Sequence, residues 1–114
     1  MSSPLRRGSI VWVDLDPTRG KEQRGSRRAV VISSDEYLDS VRGLVVVLPI
    51  TSVDREWPHH VLVEGDTVHL RTRSFAMTEQ PRTVTIERVI RRGGAAGDAT
   101  MDAVDGWLRD FIGL

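Results

Sequence analysis

Ser9-Ile10-Val11-Trp12-Val13-Asp14-Leu15 is rich in β-branched and aromatic residues. This run lies between Gly8 and Asp16-Pro17. Val, Ile and Trp fit a pleated surface, whereas Gly and Asp-Pro favour turns, so residues 9–15 are predicted to form a first β strand. A second run, residues 29–33, is apolar up to its final serine, which predicts a strand buried on both faces.

Five further strand-like runs follow, at residues 44–50, 61–63, 74–78, 83–86 and 89–90. Pro49 lacks a backbone donor, so the third strand is expected to end there or to lie at a sheet edge. Ser33 and Glu36 have capping-box spacing, which predicts a short helical turn over residues 34–40.

The end of the chain has a helical period, because Met101, Val104, Leu108 and Phe111 recur at intervals of three and four residues. Residues 99–112 are therefore predicted to form an amphipathic helix. The many short strands, the Gly/Pro turns and this helix indicate a mainly β chain with short helices, built as a strongly bent sheet or small barrel. At 114 residues, the chain is expected to be one domain spanning residues 1–114.

Composition excludes several classes of protein. The chain has no Cys, which rules out disulfide scaffolds, thiolate zinc sites and thiol nucleophiles. Its longest apolar run, residues 43–50, is far shorter than the roughly 18 residues of a membrane-spanning helix. No apolar signal core follows the first arginines, so a cytoplasmic location is expected.

The formal net charge of zero hides an asymmetry. Residues 1–28 carry seven basic and three acidic side chains, a net charge of +4, so the other 86 residues sum to −4. This pattern fits either two solvated faces or a basic surface for a polyanion.

The segment from Thr18 to Arg28 has two glycines, five basic residues and no apolar residue, which predicts an exposed, mobile loop. Arginine presents a planar fork of donors that matches phosphate oxygens, and glycine lets the backbone approach a ligand. Glu22, among these cations, is expected to be ionised and able to orient Arg27 or accept a proton. A solvated loop without a ligand would have the same composition.

The order of residues in several blocks resembles the MazF/PemK family of toxin endoribonucleases. The matching blocks are residues 7–20, Glu22-Gln23 with Gly25 and Arg27, residues 29–33, residues 48–52 with Trp57-Pro58, and residues 79–83. With the closing helix, the resemblance covers nearly the whole chain.

The resemblance implies a homodimer of SH3-like barrels of the MazF/CcdB type, which cleaves single-stranded RNA at a short sequence without metal or cofactor. Cleavage in that family uses the substrate's own 2′-hydroxyl and leaves 2′,3′-cyclic phosphate and 5′-hydroxyl ends. Arg27 and Thr51 match the family's catalytic pair. Glu22 is the nearest conventional proton acceptor, because a guanidinium stays protonated.

Other matched or neighbouring residues are expected to bind RNA: Lys21, Gln23, Arg24, Arg28, Ser52, Trp57, Gln80 and Arg82. The ring of Trp57 could stack on a base or anchor its loop. Arg28 stands where the family has proline, and Pro81 replaces an aliphatic residue. Both departures bear on sequence preference rather than on activity.

Three alternatives accompany this interpretation. His59, His60 and His69 could ligate a metal, but exposed or substrate-rim histidines are favoured, since there is no Cys and no helical His spacing. A CcdB-like toxin on the same fold would bind gyrase without catalysis, although the terminal residues 107–114 lack the closing Trp-Gly-Ile of such inhibitors. An RNA-binding module would bind RNA and leave it uncut.

The family resemblance also implies an antitoxin partner with a disordered inhibitory tail.

Overall fold

The computed structural model describes residues 5–14 and 26–114. Within these ranges the chain forms seven strands and two α helices: β1 (Ser9–Asp14), β2 (Ser26–Val31), α1 (Asp35–Ser40), β3 (Leu44–Thr51), β4 (His60–Leu62), β5 (Phe75–Met77), β6 (Arg82–Thr85), β7 (Val89–Ala95) and α2 (Asp98–Ile112). A 3₁₀ turn, Ile86–Arg88, joins β6 to β7. The prediction of a mainly β chain with a C-terminal helix is confirmed.

The strands form one antiparallel sheet in the order β4-β5-β3-β2-β1-β7, with β6 also paired to β3. The N-terminal half of β3 pairs with β6 and its last two residues pair with β5, while β2 lies along its other side. The sheet is not closed in the described part of the chain, because β4 and β7 lie at its two ends.

Apolar residues pack on both faces of the sheet. On one face, Ile10, Val30 and Leu48 form a core that Met101 and Val104 of α2 cover. On the other face, Val11, Ala29 and Val47 pack with Leu5 and other residues. Adjacent residues of β2 therefore point into different cores, and the prediction of a strand buried on both faces is confirmed.

The second strand begins three residues earlier than its apolar run indicates, so the prediction that Arg27 and Arg28 belong to an exposed loop is wrong. Arg27 pairs with Val13 and Arg28 with Trp12 in the β1–β2 ladder. The backbone of β1 offers hydrogen-bond partners whatever side chains β2 carries, and two charged residues can extend a strand where its end reaches solvent.

Of the two alternatives predicted for Pro49, the first is wrong, because β3 continues past it to Thr51. The carbonyl of Val46 accepts from the amide of Ile32, which directly follows β2, so by alternation Pro49 faces the opposite side of β3. On that side, pairing with β6 ends at Val47 and pairing with β5 begins at Ile50. The missing donor of proline thus falls at a gap between two partner strands.

The opening between β4 and β7 is spanned by the segment that follows β4. Thr67 accepts from the amide of Ala95 through Oγ1 at 2.9 Å, and Gly97 donates to the carbonyl of Glu64 at 2.8 Å. Gly94 makes this approach possible, because its φ is +80° and a Cβ there would collide with the carbonyl of Thr67.

Helix α2 confirms the prediction of an amphipathic helix at the end of the chain. A buried threonine connects this helix to the sheet by hydrogen bonds. Thr100 donates through Oγ1 to the carbonyl of Leu62 at 2.9 Å and accepts from the amide of Glu64 at 3.1 Å. The C-terminal end of the helix is less covered, since Phe111 and Ile112 are exposed. No helix in the described ranges has the length and apolar character needed to cross a membrane.

Replacing Gly94 with Ala should lower the free energy of unfolding by about 2–4 kcal/mol, because backbone strain and a steric collision with Thr67 add together. Gly43 is a matched control, since its φ is +82° but a Cβ at this position would have no neighbouring atom within 4 Å. Gly43→Ala should lower the free energy of unfolding by the backbone strain alone, about 1–2 kcal/mol. Equal losses in urea unfolding of the two variants would contradict the collision.

Candidate active site

A cleft of about 300 Å³ opens where β2 begins and β3 ends. Its walls are built from Trp12, Ser26, Arg27, Arg28, Ile50, Thr51 and Ser52. Two of these side chains are cations and three bear hydroxyls, and none is acidic. The cleft therefore suits an anion that accepts hydrogen bonds.

The sheet register explains why Arg27 and Thr51 meet in this cleft. Val31 pairs with Val47 and Ala29 with Pro49, so continuing the same register by two residues brings Arg27 opposite Thr51. Residues directly opposite in antiparallel strands project to the same face. The guanidinium and the hydroxyl thus come from neighbouring strands of a rigid sheet.

The hydroxyl of Thr51 is held by the turn that follows β3. Its Oγ1 accepts from the amide of Val53 at 3.1 Å. This local bond uses an acceptor site of the oxygen and leaves the hydroxyl hydrogen available to donate. Thr51 is half-buried, whereas Ser52 beside it is exposed at the cleft wall.

Arg28 differs from Arg27 in what it touches. Its Nη1 donates to the hydroxyl of Ser74 at 2.8 Å, and Ser74 in turn donates to the carbonyl of Thr72 at 2.9 Å. Arg28 is half-buried and Arg27 is exposed. Part of the guanidinium of Arg28 therefore supports the fold, while that of Arg27 faces solvent.

Trp12 is half-buried rather than wholly in the core, and it forms a wall of the cleft. The guanidinium carbon of Arg91 lies 4.5 Å from the centre of its ring. Gly93 passes so close that a Cβ there would lie 2.9 Å from the ring. Sequence reasoning missed Trp12 and Arg91 as site residues, although strand alternation puts Trp12 on the same face as its partner Arg28.

The remaining predicted RNA-binding residues are spread over a wider surface. Trp57 is 47% exposed and stacks on His59 at a centroid distance of 5.4 Å. Gln80 and Arg82 are both exposed, and Arg82 pairs with Val47 at the start of β6. Four predicted residues, Lys21, Glu22, Gln23 and Arg24, lie outside the described residues.

Two of the three histidines, His59 and His60, are not exposed, so the prediction of exposed histidines is wrong for these two. The side chain of His60 is only 3% exposed, and its Nε2 lies 3.0 Å from Oε2 of Glu79. His59 Nε2 lies 3.5 Å from the other oxygen of the same carboxylate. Burial alone would raise the pKa of Glu79, but hydrogen bonds from His60, its own amide and Gln80 lower it below its ordinary value.

The comparisons with known proteins agree on one family. The family model described as PemK-like, MazF-like toxin of type II toxin-antitoxin system matches residues 6–112. Endoribonuclease MazF9 of Mycobacterium tuberculosis (strain ATCC 25618 / H37Rv) is 36% identical over 115 residues, covering 96% of this chain and 98% of the relative. Endoribonuclease PemK of Escherichia coli is 36% identical over 95 residues, covering 81% of this chain and 67% of the relative.

The fold agrees with solved structures. The MazE-MazF crystal structure (Form-II) from Deinococcus radiodurans matches with a TM-score of 0.80 and 25% identity, covering 99% of both chains. The match therefore extends from the sequence blocks to the whole described sheet and its terminal helix. The chain belongs to the family of PemK-like and MazF-like toxins of type II toxin–antitoxin systems, whose relatives MazF, MazF9 and PemK are named endoribonucleases.

Proposed function

We propose that this chain is a toxin that cleaves single-stranded RNA at a short sequence in the cleft between β2 and β3, without a metal ion. The observation that carries the proposal is that Arg27, whose side chain is exposed, and Thr51, on the neighbouring strand, line the same cleft. Family membership supports the reaction class, because the relatives are named endoribonucleases.

The reaction needs the RNA, the side chains of the cleft, and groups that accept and donate one proton each. The ribose 2′-oxygen attacks the adjacent phosphorus, and the bond from phosphorus to the 5′-oxygen breaks. The products are a 2′,3′-cyclic phosphate and a 5′-hydroxyl. Negative charge grows on the nonbridging oxygens in the transition state, where positioned donors have the largest effect. Arg27 supplies the charge, and Thr51 donates its hydroxyl to a nonbridging oxygen.

One proton must leave the 2′-hydroxyl and one must reach the departing 5′-oxygen. A guanidinium offers donors and no acceptor site, so Arg27 does not take the first proton. We assign that proton transfer to Glu22, which stands five residues before Arg27 in the sequence, and a water molecule protonates the departing 5′-oxygen.

A longer stretch of RNA would bind along the surface around the cleft. Arg28 and Ser52 line the cleft and would contact phosphates beside the reacting one. Lys21, Gln23 and Arg24 extend the basic segment that precedes β2. Trp57, Gln80 and Arg82 are exposed groups able to stack on bases or to bind base edges and phosphates.

We also propose that the protein is a single domain over residues 1–114 that acts as a homodimer in the cytoplasm and is inhibited by an antitoxin. The exposed Phe111, Ile112 and Leu114 at the end of α2 supply apolar surface suited to a second copy. Solved MazE-MazF complexes of similar fold support an antitoxin partner. A disordered antitoxin tail that folds over the basic cleft would compete with RNA.

The experiment is digestion of a defined long RNA by the purified protein, with and without EDTA, followed by primer extension to locate the cut sites. We expect cuts at one short recurring sequence, at the same rate in both conditions. Loss of cleavage in EDTA would contradict the metal-free mechanism, and binding without cleavage would contradict enzyme function. The CcdB-like alternative is not favoured, because the family model and the relatives are of the PemK and MazF type.

A further inference from the structure

A second site of converging polar groups lies away from the cleft's lining residues, where β4 begins and β5 ends. His59, His60 and Glu79 each offer one ligand atom, and these atoms lie within 4.8 Å of one another. We propose that these three side chains bind one divalent transition-metal ion that favours nitrogen ligands, with Zn²⁺ as the representative ion. The site is separate from the proposed RNA chemistry, which needs no metal.

The backbone holds the three residues together before any ion binds. His60 pairs with Met77 in the β4–β5 ladder, which sets Glu79 two residues beyond its partner. Thr78 is fully buried and donates through Oγ1 to the carbonyl of His59 at 2.6 Å. A turn at residues 58–59, closed by the amide of His60 on the carbonyl of Trp57 at 3.1 Å, lets consecutive histidines face one carboxylate.

The chemistry of the donor set selects the class of ion. Two imidazoles and one carboxylate are a common set for Zn²⁺ and leave a fourth position open. Bond lengths of about 2.1 Å place the ligand atoms of a tetrahedral zinc site about 3.4 Å apart. Oε1 of Glu79 lies 3.1 Å from Nε2 of His60 and 3.5 Å from Nε2 of His59, so both nitrogens are already at about that separation from one oxygen. Mg²⁺ and Ca²⁺ prefer oxygen ligands and should not compete.

The lack of a hydrogen-bond partner at one nitrogen of His60, among the described residues, limits how tightly the ion binds. Nδ1 of His60 is buried and has no hydrogen-bond partner among the described residues. When an ion binds Nε2, the ring proton must be on Nδ1. In most metal sites an acceptor such as a carboxylate or carbonyl takes a hydrogen bond from that Nδ1–H and orients the ring. We therefore expect binding in the micromolar range rather than the nanomolar range.

Ion binding would also change the neighbourhood of Gln80. The side-chain amide of Gln80 donates through Nε2 to Oε2 of Glu79 at 3.2 Å. An ion on that carboxylate competes with this bond, so occupancy of the site is linked to the orientation of a residue assigned above to RNA binding.

The test is calorimetric titration of the chelator-treated full-length protein with ZnCl₂, and with MgCl₂ for comparison. The chain has three histidines, so His69, which is exposed, provides the matched control. Wild type and His69→Gln should each bind one Zn²⁺ per chain with dissociation constants within about twofold. His59→Gln and Glu79→Gln should bind at least tenfold more weakly, since each loses one of three ligands. MgCl₂ should give no binding heat.

Thermal unfolding gives an independent readout, because an ion that binds only the folded chain raises its stability. At one Zn²⁺ concentration that saturates wild type, the Tm of wild type and His69→Gln should rise by several degrees and that of His59→Gln by clearly less. Circular dichroism checks that each variant is folded, and His59, which is half-buried, is chosen over His60 for that reason. The proposal is overturned if wild type binds no Zn²⁺, or if His69→Gln weakens binding as much as His59→Gln.

Discussion

Arg27→Ala is expected to lower the rate of RNA cleavage by roughly 10³-fold and to leave the protein folded. The guanidinium is exposed at the end of β2, so its removal opens no cavity in either core. In the proposed mechanism it supplies positive charge where the transition state gains negative charge, and loss of such a donor has a large effect on rate. Single-turnover cleavage of an RNA that contains the mapped site measures the loss, and urea unfolding verifies stability.

Arg42 provides the control for this substitution. It is an exposed arginine just before β3, at the end of that strand opposite Thr51. Arg42→Ala should cleave at nearly the wild-type rate. Arg28→Ala should lose less activity than Arg27→Ala, because its guanidinium is partly engaged by Ser74. If Arg28→Ala were the slower variant, the role assigned to Arg27 would belong to Arg28.

Thr51→Val is expected to lower the cleavage rate by roughly 10²-fold, since the substitution keeps the shape of the side chain and removes its hydroxyl. Valine is well tolerated in a strand, and Thr51 pairs with Phe75 at the end of β3. The amide of Val53 loses its acceptor, but it lies in an exposed turn where water replaces the bond.

Thr51→Ser distinguishes chemistry from packing at the same position. Serine restores the hydroxyl and deletes the methyl group, so its cleavage rate should return to within about tenfold of wild type. A serine variant as slow as Thr51→Val would show that Thr51 acts through its packing and would contradict a donor role.

Sequence patterns are sufficient for the strands whose side chains alternate or are continuously apolar. The segments that form β1, β3 and α2 are identifiable from β-branched residues and from helical spacing. For the last strand the pattern predicts only two residues, Val89-Ile90, whereas β7 continues through two arginines and two glycines to Ala95. Those residues pair with β1 along the edge of β1 that β2 does not occupy. The two glycines have no side chain, which leaves room for the ring of Trp12 and for Thr67.

The candidate site is predictable only in part for a similar reason. Arg27 and Thr51 are 24 positions apart in the sequence, and only the register of β2 against β3 brings them together. Trp12 resembles a core residue in the sequence because alternation does not reveal where a sheet face becomes a cleft wall. The convergence of His59 and His60 on Glu79 depends on a turn and on the buried Thr78, which have no pattern in the local sequence.

The end groups of the cleaved RNA test the central claim most directly. A short RNA containing the mapped site is cut with the wild-type protein in EDTA, and both products are analysed by mass spectrometry. A second oligonucleotide carries a single 2′-deoxy residue on the 5′ side of the scissile phosphate. The account predicts a 2′,3′-cyclic phosphate and a 5′-hydroxyl from the first substrate and no cleavage of the second. A 5′-phosphate product, or cleavage of the deoxy substrate at the same bond, would contradict it.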